Sequence, residues 1–160
     1  MKWTKDVKEW FTFWVFVFAY GATVAFSLFD FFFFEVLSYN PIISLVSAGV
    51  LAFGLILRSV THEHLGKFFD INIKIREDHQ IIQIGIYKYL RHPMYLANIL
   101  IFLGVGGIFS SILGIITAIF LVIPATLFRI RREERYLLGK FKEKYEEYIE
   151  RTDNLVPWIY

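Results

Sequence analysis

The sequence predicts an all-α integral membrane protein: four transmembrane helices, the last two paired as a hairpin, then a cytoplasmic or interfacial amphipathic C-terminal helix. Three observations carry this. Hydrophobic residues make up 56% of the 160-residue chain and aromatics 19%, above the roughly 45–50% apolar share of an ordinary soluble domain. The excess is concentrated in uncharged runs over 10–29, 36–57 and 92–128, of 20, 22 and 37 residues. A bilayer core takes about 20 apolar residues per helix, and only structures with internally satisfied backbone cross it. The third observation is the distribution of Lys and Arg, which separates the connections into two kinds.

The first span is expected over 10–29, with Trp3, Trp10 and Trp14 toward its entry side, where indole rings favour the headgroup boundary. The connection 30–40 holds Asp30 and Glu35, no Lys or Arg, and an interfacial run Phe31 to Phe34. The second span is expected over 41–60. Its small residues Ser44, Ser47, Ala48, Gly49, Ala52 and Gly54 let a neighbouring helix approach closely, or leave room for a lipid to enter. A polar loop over 61–91 follows. The 37-residue run is too long for one helix and fits two short ones, over 94–109 and 113–128, turning at Gly106, Gly107, Ser110 and Ser111. An amphipathic helix is expected over 129–151, with Leu138, Phe141, Tyr145, Tyr148 and Ile149 at helical spacing. Lys2, Lys5 and Lys8, the middle loop and the tail carry the cations, so the positive-inside rule puts both termini in the cytoplasm. That means the plasma membrane in a prokaryote and the endoplasmic reticulum in a eukaryote. The whole chain reads as one membrane-embedded domain, with a first helix that is retained rather than cleaved.

Composition also excludes. Net charge is +2, with cations balanced by nearby Asp and Glu, so no nucleic-acid partner is expected. There is no cysteine, which removes disulfides, thiolate catalysis and thiolate metal sites. His62 and His64 stand at i and i+2, which do not share a helical face, so no metal is expected. Gly104, Gly106 and Gly107 lie in an apolar span with no strand before them and read as packing glycines, not a dinucleotide loop.

Two polar clusters stand out. His79, Gly85, Tyr87, Arg91, His92 and Tyr95 fall within 17 positions, ending where a span begins. Pro93 fits the first turn of that span, and a helix N-terminus beside Arg91 suits a carboxylate or phosphate. The second cluster is Arg129 to Arg135, with Arg129 and Glu133 at i and i+4 on one face. The hairpin returns it to the depth of the first. Each residue also has a plainer reading: Arg91 and Lys88 as interface cations, Glu133 and Glu134 as a solvated face, Tyr87, Tyr89 and Tyr95 as an aromatic belt.

The order of these residues resembles the isoprenylcysteine carboxyl methyltransferase family and its phospholipid methyltransferase relatives. The pattern runs His79, Ile81, Ile82, Gly85, Tyr87, Arg91, His92, Pro93 and Tyr95. It continues as Arg129, Glu133, Glu134, Leu137, Phe141, Tyr145, Tyr148, Val156 and Pro157, with Leu65 and Gly66 upstream. The resemblance covers the chain from about Arg58 onward. Lys142 replaces the family's Gly after Phe141, Ile86 stands where Pro is common, and Asn72 where some relatives have Gln.

The resemblance implies an S-adenosylmethionine-dependent methyltransferase without a Rossmann domain, releasing S-adenosylhomocysteine. It implies that His79, Gln80, Ile81, Ile82, Tyr87, His92, Pro93, Met94, Tyr95, Glu133 and Glu134 line the cofactor pocket, with Arg91 beside it. Arg129 then faces the acceptor, a lipid or lipid-modified molecule entering from the bilayer. Arg129 and Arg91 are the expected catalytic pair, Arg129 on the acceptor and Arg91 on the cofactor's carboxylate. A carboxylate acceptor is ionised at neutral pH and needs no general base. An amine acceptor, as in phospholipid headgroup N-methylation, needs deprotonation first. A non-catalytic helical scaffold or carrier is the alternative from another class.

Overall fold

The computed structural model describes residues 3–33, 39–66 and 81–156. The expected site residues His79 and Gln80, with Asn72 and Pro157, lie outside the described residues. Among the described residues the elements are helical. They are α1 (Trp3–Phe33), α2 (Pro41–Leu65), a 3-10 turn (Gly85–Lys88), α3 (Pro93–Ile108), α4 (Ile112–Thr117), a π turn (Ala118–Val122), α5 (Ile123–Phe141) and α6 (Glu143–Glu150).

Local chemistry starts and stops these helices. Asn40 Oδ1 accepts from the N–H groups of Ile42 and Ile43 at 2.9 and 3.3 Å, and Pro41 takes the first turn. Gly66, at φ +49°, closes α2. Ser111 Oγ accepts from Gly114 N–H at 2.9 Å and donates to Asp30 Oδ2 at 2.7 Å. Asp30 thereby ties the end of α1 to the start of α4, at the hairpin turn.

α4, the π turn and α5 form one helix, Ile112–Phe141. The π turn ends at Val122, two residues before Pro124. Proline removes an i→i−4 bond and crowds the preceding turn, and a widened turn accommodates both.

Three helical stretches are long and apolar enough to cross a membrane: Phe11–Phe33, Pro41–Leu65 and Ile112–Phe141; Pro93–Ile108 is a shorter apolar helix. At 16 residues α3 is about 24 Å long. The chain is an integral membrane protein. Large residues face outward, with Leu45 75% exposed and Phe18 69%, which hydrocarbon tolerates and water does not.

Inward faces are small and polar instead. A methyl at Gly54 would come within 3.0 Å of the Ile101 backbone N, and one at Gly104 within 2.8 Å of Leu51. α2 and α3 therefore touch backbone to backbone, and Ser44 Oγ donates across them to the Ile108 carbonyl at 2.7 Å. Of the small residues expected on the second span, Ser44, Ser47 and Gly54 pack against α3, whereas nothing lies within 4 Å of a methyl placed at Gly49. On α1 the buried residues are Thr12, Ala19, Thr23 and Ser27. Thr23 and Ser27 donate to the carbonyls of Ala19 and Thr23 at 2.9 and 2.7 Å, so neither hydroxyl is left unsatisfied in the apolar interior.

The C-terminal region differs from the expectation of one helix over 129–151. Past Pro124 the last apolar helix runs on without a break to Phe141, because no further proline interrupts it and Arg129 and Ile130 are buried along it. The chain turns at Lys142 (φ +49°, ψ −126°) and resumes as α6. Beyond α6, Leu155 is buried in the core with Ala19, Ile99, Val122 and Ile130.

Candidate active site at the start of α3

Two chains of polar groups meet where α3 begins and the charged half of α5 passes it. In the first, Arg129 Nε donates to Tyr95 Oη at 3.0 Å, and Tyr95 Oη donates to Glu133 Oε2 at 2.7 Å. One phenol thus links a cation and a carboxylate set one helical turn apart on α5. Arg129 is 7% exposed. It also reaches Thr12 Oγ1 at 3.5 Å and lies over the Phe16 ring of α1, 5.7 Å from the centroid. Phe16 stacks in turn on Tyr95 at 6.4 Å.

In the second chain Glu134 Oε1 accepts from Arg91 Nε at 2.9 Å and lies 3.3 Å from His92 Nε2. Arg91 Nη1 donates to the carbonyls of Ile149, at 3.1 Å, and Thr152, and to Thr152 Oγ1 at 3.4 Å. Backbone bonds run alongside: Arg91 N–H to Asp153 O at 2.9 Å, His92 N–H to Asn154 O at 3.1 Å, and Asp153 N–H to Tyr89 O at 2.9 Å. Tyr148 Oη donates to the Tyr87 carbonyl at 2.7 Å. Gly85 is held at φ +56° with the His64 ring where a side chain would stand, so only glycine fits this turn.

The electrostatics separate these groups by role. Burial and the Glu133 charge push the Tyr87 phenol above the usual range, and burial and the two glutamates do the same to Tyr145. Burial takes Tyr148 up to about 12, against the opposing pull of Arg91. These phenols stay protonated and are not bases at neutral pH, and Tyr148 spends its proton on the Tyr87 carbonyl. Glu134 lies in the charged C-terminal part of the last long helix, past Phe128 where its uncharged run ends. Burial alone would raise its carboxyl, but the hydrogen bonds and charges of His92 and Arg91 outweigh burial and hold it below the usual carboxylate range.

The sequence matches the isoprenylcysteine carboxyl methyltransferase (ICMT) family over residues 45–139, which includes α3, Arg129 and both glutamates. The chain belongs to that family. A protein-S-isoprenylcysteine O-methyltransferase of Schizosaccharomyces pombe is 31% identical over 115 residues, covering 69% of this chain and 48% of that protein. The chain therefore spans about half the length of the curated relative it matches there. A cobalt-zinc-cadmium resistance protein, CzcN, of Cupriavidus metallidurans is 33% identical over 84 residues, 51% of this chain and 38% of that protein. Among solved structures, the eukaryotic intramembrane Ras methyltransferase ICMT aligns with a TM-score of 0.73 and 24% identity, over 89% of this chain and 52% of that one. That likeness shows the ICMT-type membrane fold.

The site expected from the ICMT motifs is brought together in large part. Arg91, His92, Pro93, Tyr95, Arg129, Glu133 and Glu134 converge at the start of α3. Tyr87 is buried beside them, held through its carbonyl. Ile81 and Ile82 are half-buried in the segment leading to the 3-10 turn. Met94 faces α2, its Sδ 3.6 Å from Thr61 Oγ1 and 3.8 Å from Arg58 Nη1. The helix start offers fewer free N–H groups than expected, since Pro93 has none and Tyr95 N–H turns back on the His92 carbonyl at 3.1 Å.

Several participants were not among the expected site residues. Thr12 and Phe16 come from α1, which carries no family motif. Their i, i+4 spacing on the first span was the available signal. Arg58 donates to Asn98 Oδ1 from within the second apolar helix, and a cation at that position in a span was itself a signal. The contributions of Thr152, Asp153 and Asn154 are mostly through their backbone, which side-chain motifs do not encode.

Proposed function

We propose that this protein transfers a methyl group from S-adenosylmethionine to the carboxylate of a lipid-linked, isoprenylcysteine-like acceptor. The observation that carries the reading is the Arg129–Tyr95–Glu133 chain. It sets an anion-recognising cation against lipid-facing α1, one helical turn, roughly 6 Å, from a carboxylate on the aqueous side. The remaining acceptors suit a ligand rich in amine and hydroxyl donors. Glu133 and Glu134 supply carboxylates, and Asn154 Oδ1 is buried without a hydrogen-bond partner among the described residues.

When bound, the cofactor supplies a methyl group already activated on a sulfonium. The chain's own residues then have three tasks. Arg129 orients the acceptor carboxylate by charge-assisted hydrogen bonds. Tyr95 fixes Arg129 and Glu133 relative to each other, which fixes acceptor relative to cofactor. Phe16, Tyr95 and the aromatic face of α1 keep water from the transfer. No group has to remove a proton from a carboxylate. The raised phenols and the lowered Glu134 are poorly suited to deprotonating an amine, which leaves His92 for that step, whereas a carboxylate needs no base at all. The proposed topology is four spans, α3 included, with both termini and the site on the cytoplasmic side.

The test is methyl transfer from radiolabelled S-adenosylmethionine to an S-farnesylated cysteine and, in parallel, to phosphatidylethanolamine. Base-labile label released as methanol from the prenylcysteine is the expected result. Base-stable label in the phospholipid would replace this reading with headgroup N-methylation, and no transfer to either would reject both.

A further inference from the structure

Arg91 was expected to hold the cofactor's carboxylate, yet its Nε and Nη1 donors go to the chain itself. Nε is taken by Glu134, and Nη1 by Ile149 O, Thr152 O and Thr152 Oγ1. Three of these four acceptors belong to one strap of chain, residues 145–155. The strap is anchored at both ends by burial, through Tyr145 and Tyr148 at one end and Leu155 at the other. Its middle follows the approach to α3, where Asp153 and Asn154 accept from Arg91 N–H and His92 N–H. Arg91 therefore ties the Ile149 and Thr152 carbonyls at the turn after α6 to the approach to α3. His92 is fixed from both sides, its N–H by the strap and its ring by Glu134, which Arg91 also holds.

We propose that Arg91 is a positioning residue: it stitches the C-terminal strap to Glu134, sets the His92–Glu134 pair as a wall of the site, and does not grip the cofactor's carboxylate. Tyr148 extends the same stitch through Tyr87, and Thr152 through Arg91. The proposal rests on the reading of this site as an S-adenosylmethionine pocket.

Two ligands separate positioning from direct contact. S-adenosylhomocysteine carries the amino-acid carboxylate; 5′-methylthioadenosine keeps the adenosine and sulfur without it. Both would be titrated by calorimetry into the full-length, detergent-purified wild type, Arg91→Lys, Tyr148→Phe and the double variant. Arg91→Lys should weaken both ligands by the same factor, about tenfold, and Tyr148→Phe both by a smaller one. The double variant should lose less than the product of the two factors, because both substitutions loosen one strap. A loss confined to S-adenosylhomocysteine would make Arg91 a carboxylate ligand and overturn the proposal. So would factors that multiply, or affinities that do not change. If 5′-methylthioadenosine binds too weakly to titrate, the coupling measured on S-adenosylhomocysteine alone decides. If Arg91→Lys does not fold, Tyr148→Phe and Thr152→Val carry the test, with equal weakening of both ligands expected and unchanged affinity overturning it. A folded wild type that binds neither ligand fails the pocket reading itself, and the positioning role with it. Failure of positioning alone leaves wild-type binding intact.

Discussion

Tyr95 is the residue on which the site's geometry turns. Its hydroxyl accepts from Arg129 and donates to Glu133, so both charged partners lose a hydrogen bond if it is removed. Tyr95→Phe keeps the ring and its stack on Phe16. We expect it to cost about 1–3 kcal/mol of stability and to slow methyl transfer at least about tenfold. Thermal unfolding and initial rates on the same preparation check both. Full activity in Tyr95→Phe would mean that Arg129 and Glu133 need no linker. The pairing of Arg129 with Glu133 on one helical face was readable from their spacing, as was the arrival of both at the depth of Arg91 and His92. Tyr95 was expected in the pocket, but its place as the link between them was not readable, because an aromatic near a span's end reads first as part of an interfacial belt.

Among the elements, the join between α5 and α6 carries an identifiable strain. Lys142 adopts φ +49° and ψ −126°, a region that glycine enters freely and a side chain does not. The sequence already marks this position as one where the family has glycine and this chain has lysine, though not that the helix would run unbroken up to it. Lys142→Gly should raise stability by about 1 kcal/mol, strain relief exceeding the entropy cost of glycine. The midpoint of thermal unfolding in detergent reads this out, and an unchanged or lower midpoint would show that the turn is not strained. α1 was the least legible helix. Its buried positions among the described side chains are threonine, alanine and serine, most of its large residues other than Phe16 and Tyr20 face outward, and hydrophobic periodicity therefore points away from the packed face. Its role against Arg129 appears only once the other helices are in place.

At the scale of the whole molecule, composition alone made the membrane and the helical class legible, because nearly half the chain lies in three uncharged runs. Orientation rests on the cation count. The absence of cysteine allows a clean test in sealed, inside-in vesicles with a membrane-impermeant thiol reagent. A single cysteine at the exposed Tyr39, before α2, should be labelled, and one at the exposed Glu146 in α6 should be labelled only after the vesicles are opened. The reverse pattern would put the site on the wrong side of the membrane for a cytoplasmic cofactor.

The most direct test of the site is isothermal titration of the detergent-purified protein with S-adenosylhomocysteine, alongside Glu133→Ala. The expected result is one-to-one binding by the wild type, lost in a variant that still unfolds cooperatively, at a somewhat lower temperature because the Tyr95–Glu133 hydrogen bond is gone. A folded wild type that binds nothing, or a Glu133→Ala variant that binds as tightly, would contradict the placement of the cofactor beside the Arg129–Tyr95–Glu133 chain.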